Sequence, residues 1–434
     1  MNGLSLTYDM IIEKEKIQEI NKSRLSNHFD DLERLKSHLD GKGINADSII
    51  EKLAAFQVAI PSWALGTGGT RFGRFPGGGE PTTLDQKIED VGLLHLLNTS
   101  SGAISLHIPW DIPSDADHTK QLAQSLGLKF DAVNSNTFQD QQDAKYSYKF
   151  GSLSHVNKDV RDQAVAHNTE VINYGKALGS DSLTVWLADG TTFPGQANLR
   201  QTFKNTFGSL QEIYKHLPED WKVFIEYKPF EPNFYSMAIP DWGTSHMIAS
   251  QLGEKALCLV DLGHHLPNTN IEQIVALLMM QKKLGGFHFN DSKYADDDLT
   301  VGCIKPYQLF LIFSELVDGI NNTENPDLSW MIDASHNLKD PMEDLLQSVD
   351  AIMIAYSQAL IIDRETLNDA QQNNDVTLAQ EVLQEAYRTD IRPLVAESRR
   401  INNGALHPVS AYRYLNIRKR LIKERGGKTI STGL

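Results

Sequence analysis

VFIEYKP, residues 223–229, runs apolar through Ile225 and then meets a carboxylate, Glu226. The pattern recurs three times downstream. LCLVDLG (257–263) runs into Asp261 with His264 just behind it, GGFHFND (285–291) carries His288, and LSWMID (328–333) stops on Asp333. Short uninterrupted apolar runs are the profile of strands buried on both faces. A strand apolar along its length, with a carboxylate or imidazole at its C-terminal tip, is how a parallel β/α barrel builds an active site.

Working outward, FQVAIP (56–61), AISLHIPW (103–110), FDAVNSN (130–136) and SLTVWLAD (182–189) bring the runs to eight. Amphipathic stretches at 160–178, 200–216, 243–252, 271–283 and 306–317 lie between runs. This alternation predicts an α/β fold, a (β/α)8 TIM barrel over residues 56–340. A doubly wound sheet would also alternate, but with a glycine-rich strand-to-helix turn for nucleotide phosphates near its start. GTGGTRFGRFPGGG (66–79) is not of that form and opens no evident helix. It reads as a flexible loop that covers or completes a site, because glycine lowers the cost of positive φ.

Residues 1–55 are charge-rich, with Leu32, Leu35 and Leu39 on one helical stripe, and read as an N-terminal helical segment. Residues 341–434 read as a C-terminal helical extension, interrupted by a polar break at LNDAQQNNDV (367–376) and suited to packing in an oligomer.

The chain has 434 residues, 41% hydrophobic and 22% charged, ordinary for a globular enzyme. A net charge of -15 argues against nucleic-acid binding, which needs clustered positive charge. Cys258 and Cys303 are too few for a disulfide framework and, beside apolar residues, read as buried reduced thiols. The first residues lack the basic start and apolar stretch of a signal peptide, and no run approaches the roughly 18 apolar residues of a membrane span. A cytoplasmic protein without membrane contact is the expectation.

Glu226, Asp261, His288 and Asp333 sit at the ends of the fifth to eighth strands, so their side chains can converge at one barrel mouth. His264 and the acidic loop holding Asp296 and Asp298 form a second group nearby. Oxygen ligands mixed with imidazole suit manganese, cobalt, zinc or magnesium. With Glu226 bridging, two ions share one pocket, an arrangement that stabilises charge on neighbouring substrate oxygens. Other readings stand beside this one. Glu226 could pair with Lys228, Asp261 could cap a helix, and Asp296, Asp297 and Asp298 could form a solvated turn. Of the adjacent His264 and His265, at most one can face the metal.

On these residues the chain resembles the broad-specificity bacterial L-rhamnose isomerases, a branch of the xylose-isomerase-like barrels. The resemblance spans PSWALGTGGTRFGRFPG, SLHIPWD, FDAVNSNTF, YKFGSLSH, LTVWLADG, LVDLGHHLPNTNIE, LGGFHFNDSKYADDD, MIDASHN and AYRTD. It implies a homotetramer with two divalent ions per subunit, manganese first among the metals. Glu226, Asp261, His288 and Asp333 would hold the more structural ion, and Glu226, His264, Asp296 and Asp298 the catalytic one. His107, Trp186, Lys228 and Ser335 match sugar-contacting positions. Phe72 matches an aromatic that reaches into a neighbouring subunit's site. Taken alone, Trp186 could be core, His107 a hydrogen-bonded strand-end residue and Phe72 a loop anchor.

The implied reaction interconverts L-rhamnose and L-rhamnulose, and other aldoses such as D-allose with D-psicose, by a metal-assisted hydride shift. Lys228, Asp333 and His107 carry its catalytic roles, and a cis-enediol route is the alternative mechanism. Preference for another aldose, a metal-dependent phosphodiesterase on a similar barrel, and a non-catalytic sugar-binding barrel are the competing readings.

Overall fold

The computed structural model describes residues 14–67, 75–322, 327–335 and 338–431. The eight apolar runs become the eight strands of a closed, all-parallel barrel in sequential order. They are β1 (Ala59–Pro61), β2 (Ala103–Ile108), β3 (Lys129–Ser135), β4 (Ser182–Val185), β5 (Lys222–Glu226), β6 (Ala256–Asp261), β7 (Leu284–Phe289) and β8 (Ser329–Ile332). Pairing of Ala59 with Met331 closes the ring.

Helices cross over between successive strands, and their starts are set by local chemistry. Thr83, Asp115, Asn157, Asn198 and Asp241 each accept a backbone N–H in the first turn of the following helix. Pro306 opens Pro306–Asn321, where its missing N–H costs nothing. The main core lies between the strands and this ring, and it continues into the N-terminal helices and the C-terminal extension. Inside the barrel Ala132, Phe224, Leu257 and Leu259 form a separate small cluster. Strand alternation then points the next inward positions, Glu226 and Asp261, into the mouth above them. Gly285, the extra residue of a bulge in β7, leaves room for this filling: a Cβ there would lie 2.6 Å from the Phe224 ring.

Two expectations need correcting, and some elements go beyond those predicted. Cys258 is buried, but Cys303 is exposed. The polar break at 367–376 is mostly helix, Arg364–Gln372, started by Asp363 and buried only through Leu367 and Ala370. The helices Leu84–Asn98 and Ala116–Ser125 lie outside the predicted helical stretches. A short antiparallel ribbon, Gly190–Thr191 with Ser236–Met237, has no counterpart in the predicted elements. Among the described residues no single helix is long and apolar enough to cross a membrane; Pro341–Leu360 and Arg364–Gln372 reach that composition only as a pair bent by 66°.

One buried ion pair lies between the barrel and its first crossover helix. Lys87 Nζ sits 2.6 Å from Asp111 Oδ1, with the side chains 0% and 1% exposed. Removing one partner of such a pair leaves an uncompensated buried charge. Lys87→Met is expected to lower unfolding free energy by about 3–5 kcal/mol, readable as a reduced denaturant midpoint; an unchanged midpoint would show that Asp111 finds another cation.

Candidate active site

The C-terminal mouth of the barrel holds a cavity of about 310 Å³. Glu226, His264, His288, Asp296, Asp298 and Asp333 line it together, with Lys228 and Ser335 beside them. Asp261, fully buried, lies directly below. Strand register explains the convergence. Asp261 and His288 are paired residues on β6 and β7, and Asp333 N–H donates to Phe289 O as it leaves β8.

Glu226 Oε1 is 3.2 Å from Nδ1 of both His264 and His288. His288 Nδ1 is also 3.6 Å from one oxygen of Asp261 and one of Asp333. On the other side His264 Nε2 lies 3.3 Å from Asp296 Oδ2. Ligand atoms of Glu226, Asp261 and His288 fall within 4.8 Å of one another, and so do those of Asp261, His264 and Asp296. Asp261 is therefore common to two groups, a role the sequence reading had given to Glu226 alone. Asp298 approaches through the loop, where its Oδ2 accepts from Ser335 Oγ at 3.2 Å.

Electrostatics show what the cluster lacks. Burial opposes charge on His288, yet Glu226, Asp261 and Asp333 raise its pKa to about 10. Burial likewise opposes charge on His264, and Asp261 and Asp296 hold it well above the usual value. Burial raises Glu226, but the two imidazoles bring it down to about 2. Asp298 is pushed well above the carboxylate range by burial and by Asp296 and Asp333. Burial also lifts Asp333, to about 6, against the pull of His288. Five carboxylates thus depend on two protonated imidazoles and Lys228 for positive charge.

Asp261 Oδ2 and Nδ1 of both His264 and His288 are buried with no hydrogen-bond partner. Buried oxygen and nitrogen atoms that touch only through ion pairs without hydrogen-bond geometry, among excess carboxylates, have the donor chemistry that suits a divalent cation. The residues present fit a divalent cation.

Of the two adjacent histidines, His264 turns inward. His265 instead makes a 2.7 Å hydrogen bond with Tyr227 Oη. Lys228 Nζ reaches Asp296 Oδ2 at 2.6 Å and pairs with Glu231. It also lies 5.2 Å from the Trp186 ring centroid. His107 packs edge-on against Trp63 and Phe138 and 4.4 Å from Trp110; Phe138 in turn meets Trp186 at 5.0 Å. Burial, helped by His167, depresses the His107 pKa to about 3, so its imidazole is neutral. Phe72 lies outside the described residues.

Sequence reasoning passed over Trp63, Trp110, Phe138 and Glu231. Trp63 Nε1 donates to Asp333 Oδ1 at 2.9 Å and fixes that carboxylate. The available signal was position, since each lies within a few residues of a strand's C-terminal end.

The closed parallel barrel defines a class, the TIM barrels, here with a carboxylate–imidazole cluster at its C-terminal mouth. No family model matches the sequence. A probable sugar isomerase of Rhizobium meliloti (strain 1021) is 50% identical over 417 residues, 96% of this chain and 97% of that protein. A probable sugar isomerase of Mesorhizobium japonicum is 49% identical over 98% of this chain and 99% of that protein. The chain belongs to the family of these probable sugar isomerases. Among solved structures, an L-ribulose 3-epimerase superposes with a TM-score of 0.52 at 14% identity, covering 74% of this chain and 98% of that one. A 3-keto-D-glucoside 4-epimerase from E. coli gives 0.51 at 12% identity over 68% of this chain and 98% of that one. These two likenesses are of fold.

The crowded cluster makes a two-sided prediction. Asp298→Asn removes a carboxyl that must take up a proton to be buried beside Asp296 and Asp333, and with it one potential ligand. Metal-free Asp298→Asn protein is expected to melt at a higher temperature than metal-free wild type, while its bound manganese after dialysis falls. A lower melting temperature without metal would mean that the carboxylate is already compensated by the protein.

Proposed function

We propose that the protein is a metal-dependent aldose–ketose isomerase. Its leading substrate pair is L-rhamnose and L-rhamnulose, with other aldoses such as D-allose and D-psicose also accepted. Two divalent cations, manganese first, and a homotetramer complete the proposal. The observation that carries it is the pair of carboxylate–imidazole groups sharing Asp261 beneath an aromatic-walled cavity. Membership in a family of probable sugar isomerases supports the substrate class.

In this reading Glu226, Asp261, His288 and Asp333 would hold one cation, and Glu226, Asp261, His264, Asp296 and Asp298 would hold the other. When bound, such a pair supplies Lewis acidity that polarises the sugar carbonyl. The side chains do the rest. Asp333, with Oδ1 held by Trp63, takes the anomeric hydroxyl proton as the ring C–O bond breaks, and the proton passes to the ring oxygen. Hydrogen then leaves C2 with its electron pair for C1, while the O2 proton ends on O1. Lys228 stabilises negative charge at these oxygens, and Asp296 and Glu231 hold its ammonium in place. Neutral His107 keeps one ring nitrogen as a hydrogen-bond acceptor and the other as a donor toward sugar hydroxyls. Trp186, Trp110 and Phe138 exclude water and present an apolar wall that suits a methyl-terminated sugar such as rhamnose.

Dialysis against EDTA is expected to abolish conversion of L-rhamnose to its ketose, and manganese to restore it. Full turnover by metal-free protein would contradict the reading, and an epimer as product in place of a ketose would move it to another reaction. Run in deuterated water, the conversion is expected to leave the product's C1 free of solvent deuterium. Substantial incorporation there would favour the enediol route.

A further inference from the structure

Beneath His107 and Trp63 lies a buried carboxylate that contributes nothing to the cavity wall. Asp111 is 1% exposed and ends the turn that follows β2. Its Oδ2 accepts the backbone N–H of His107 at 2.9 Å and also a hydrogen bond from Ser62 Oγ. Its own N–H returns to His107 O at 3.0 Å, closing the turn that sets Trp110 against the imidazole. Oδ1 is held by Lys87.

One carboxylate therefore joins two segments that approach the site from different strands. Ser62 immediately precedes Trp63, whose indole holds Asp333, and His107 is the strand-end imidazole packed on that indole at 5.3 Å. We infer that Asp111 is a positioning residue for the sugar-binding wall, acting through Ser62 on Trp63 and through the 107–111 turn on His107 and Trp110. Lys87 Nζ holds Oδ1 at 2.6 Å, and an ion-paired acceptor gives stronger and shorter hydrogen bonds than a neutral one would. This inference rests on the isomerase reading only for the identity of the bound sugar.

Ser62→Ala deletes a single hydrogen bond and keeps the Lys87 pair, so the protein should fold; Asp111→Asn keeps an acceptor but removes the ion pair. Both would be labelled with 5-fluorotryptophan, with the Trp63 and Trp110 resonances assigned by Trp→Phe variants. The expected result is that Ser62→Ala shifts the Trp63 resonance and Asp111→Asn shifts both, while bound manganese stays at the wild-type level. On L-rhamnose, KM should rise several-fold, and Ser62→Thr, which restores the hydroxyl, should recover it. Unmoved resonances, or a fall in melting temperature with KM and kcat unchanged, would overturn the positioning role. A wild-type protein that turns over no aldose would sink the isomerase reading, and the fluorine spectra would still decide this one.

Discussion

Mutual repulsion among Glu226, Asp261, Asp296, Asp298 and Asp333 is the constraint around which this molecule is organised. Like charges in a cavity this small cannot all stay ionised without compensating cations. Two imidazoles held protonated by their neighbours supply part of the compensation, and Lys228 supplies more. The strained values of Asp298 and Asp333 show that this is not enough. Four of the groups, Glu226, Asp261, His288 and Asp333, stand on or directly after barrel strands, which hold them in place.

The surroundings add ionic ties between distant segments. Asp340, just after the barrel, receives Arg418 through two hydrogen bonds and Tyr412 through a third. Arg425 makes a bidentate pair with Asp90 on the first crossover helix, both side chains 2% exposed. Glu80 accepts from Thr67, Gly77 and Ser431, so one buried carboxylate gathers both ends of the glycine-rich loop and the end of the described chain. The C-terminal helices therefore brace the side of the barrel where the first two strands open into the site.

All eight strands were legible because each is a short apolar run between polar stretches, and the barrel followed from their number. Helix Leu84–Asn98 was not, since Lys87, Asp90 and Gly92 are as buried as its leucines and blur any amphipathic stripe. Helix Arg364–Gln372 was misread as a break because it buries only two side chains and is polar elsewhere. At the site, the carboxylates and imidazoles stood out because charge at the end of a buried strand needs a reason. Trp63, Trp110 and Phe138 did not, because an aromatic near a strand end reads equally well as core. The part played by Asp111 depends on Lys87 and Ser62, which are distant in sequence and meet only in the folded chain.

The central claim, that the acidic mouth is a paired cation site, is tested most directly by crystals grown with manganese and measured at its absorption edge. Two anomalous peaks roughly 3.5–4 Å apart are predicted, one among Glu226, Asp261 and His288 and the other among Asp261, His264 and Asp296. A cavity with no anomalous density at saturating manganese, its imidazoles still paired to the carboxylates, would contradict the account.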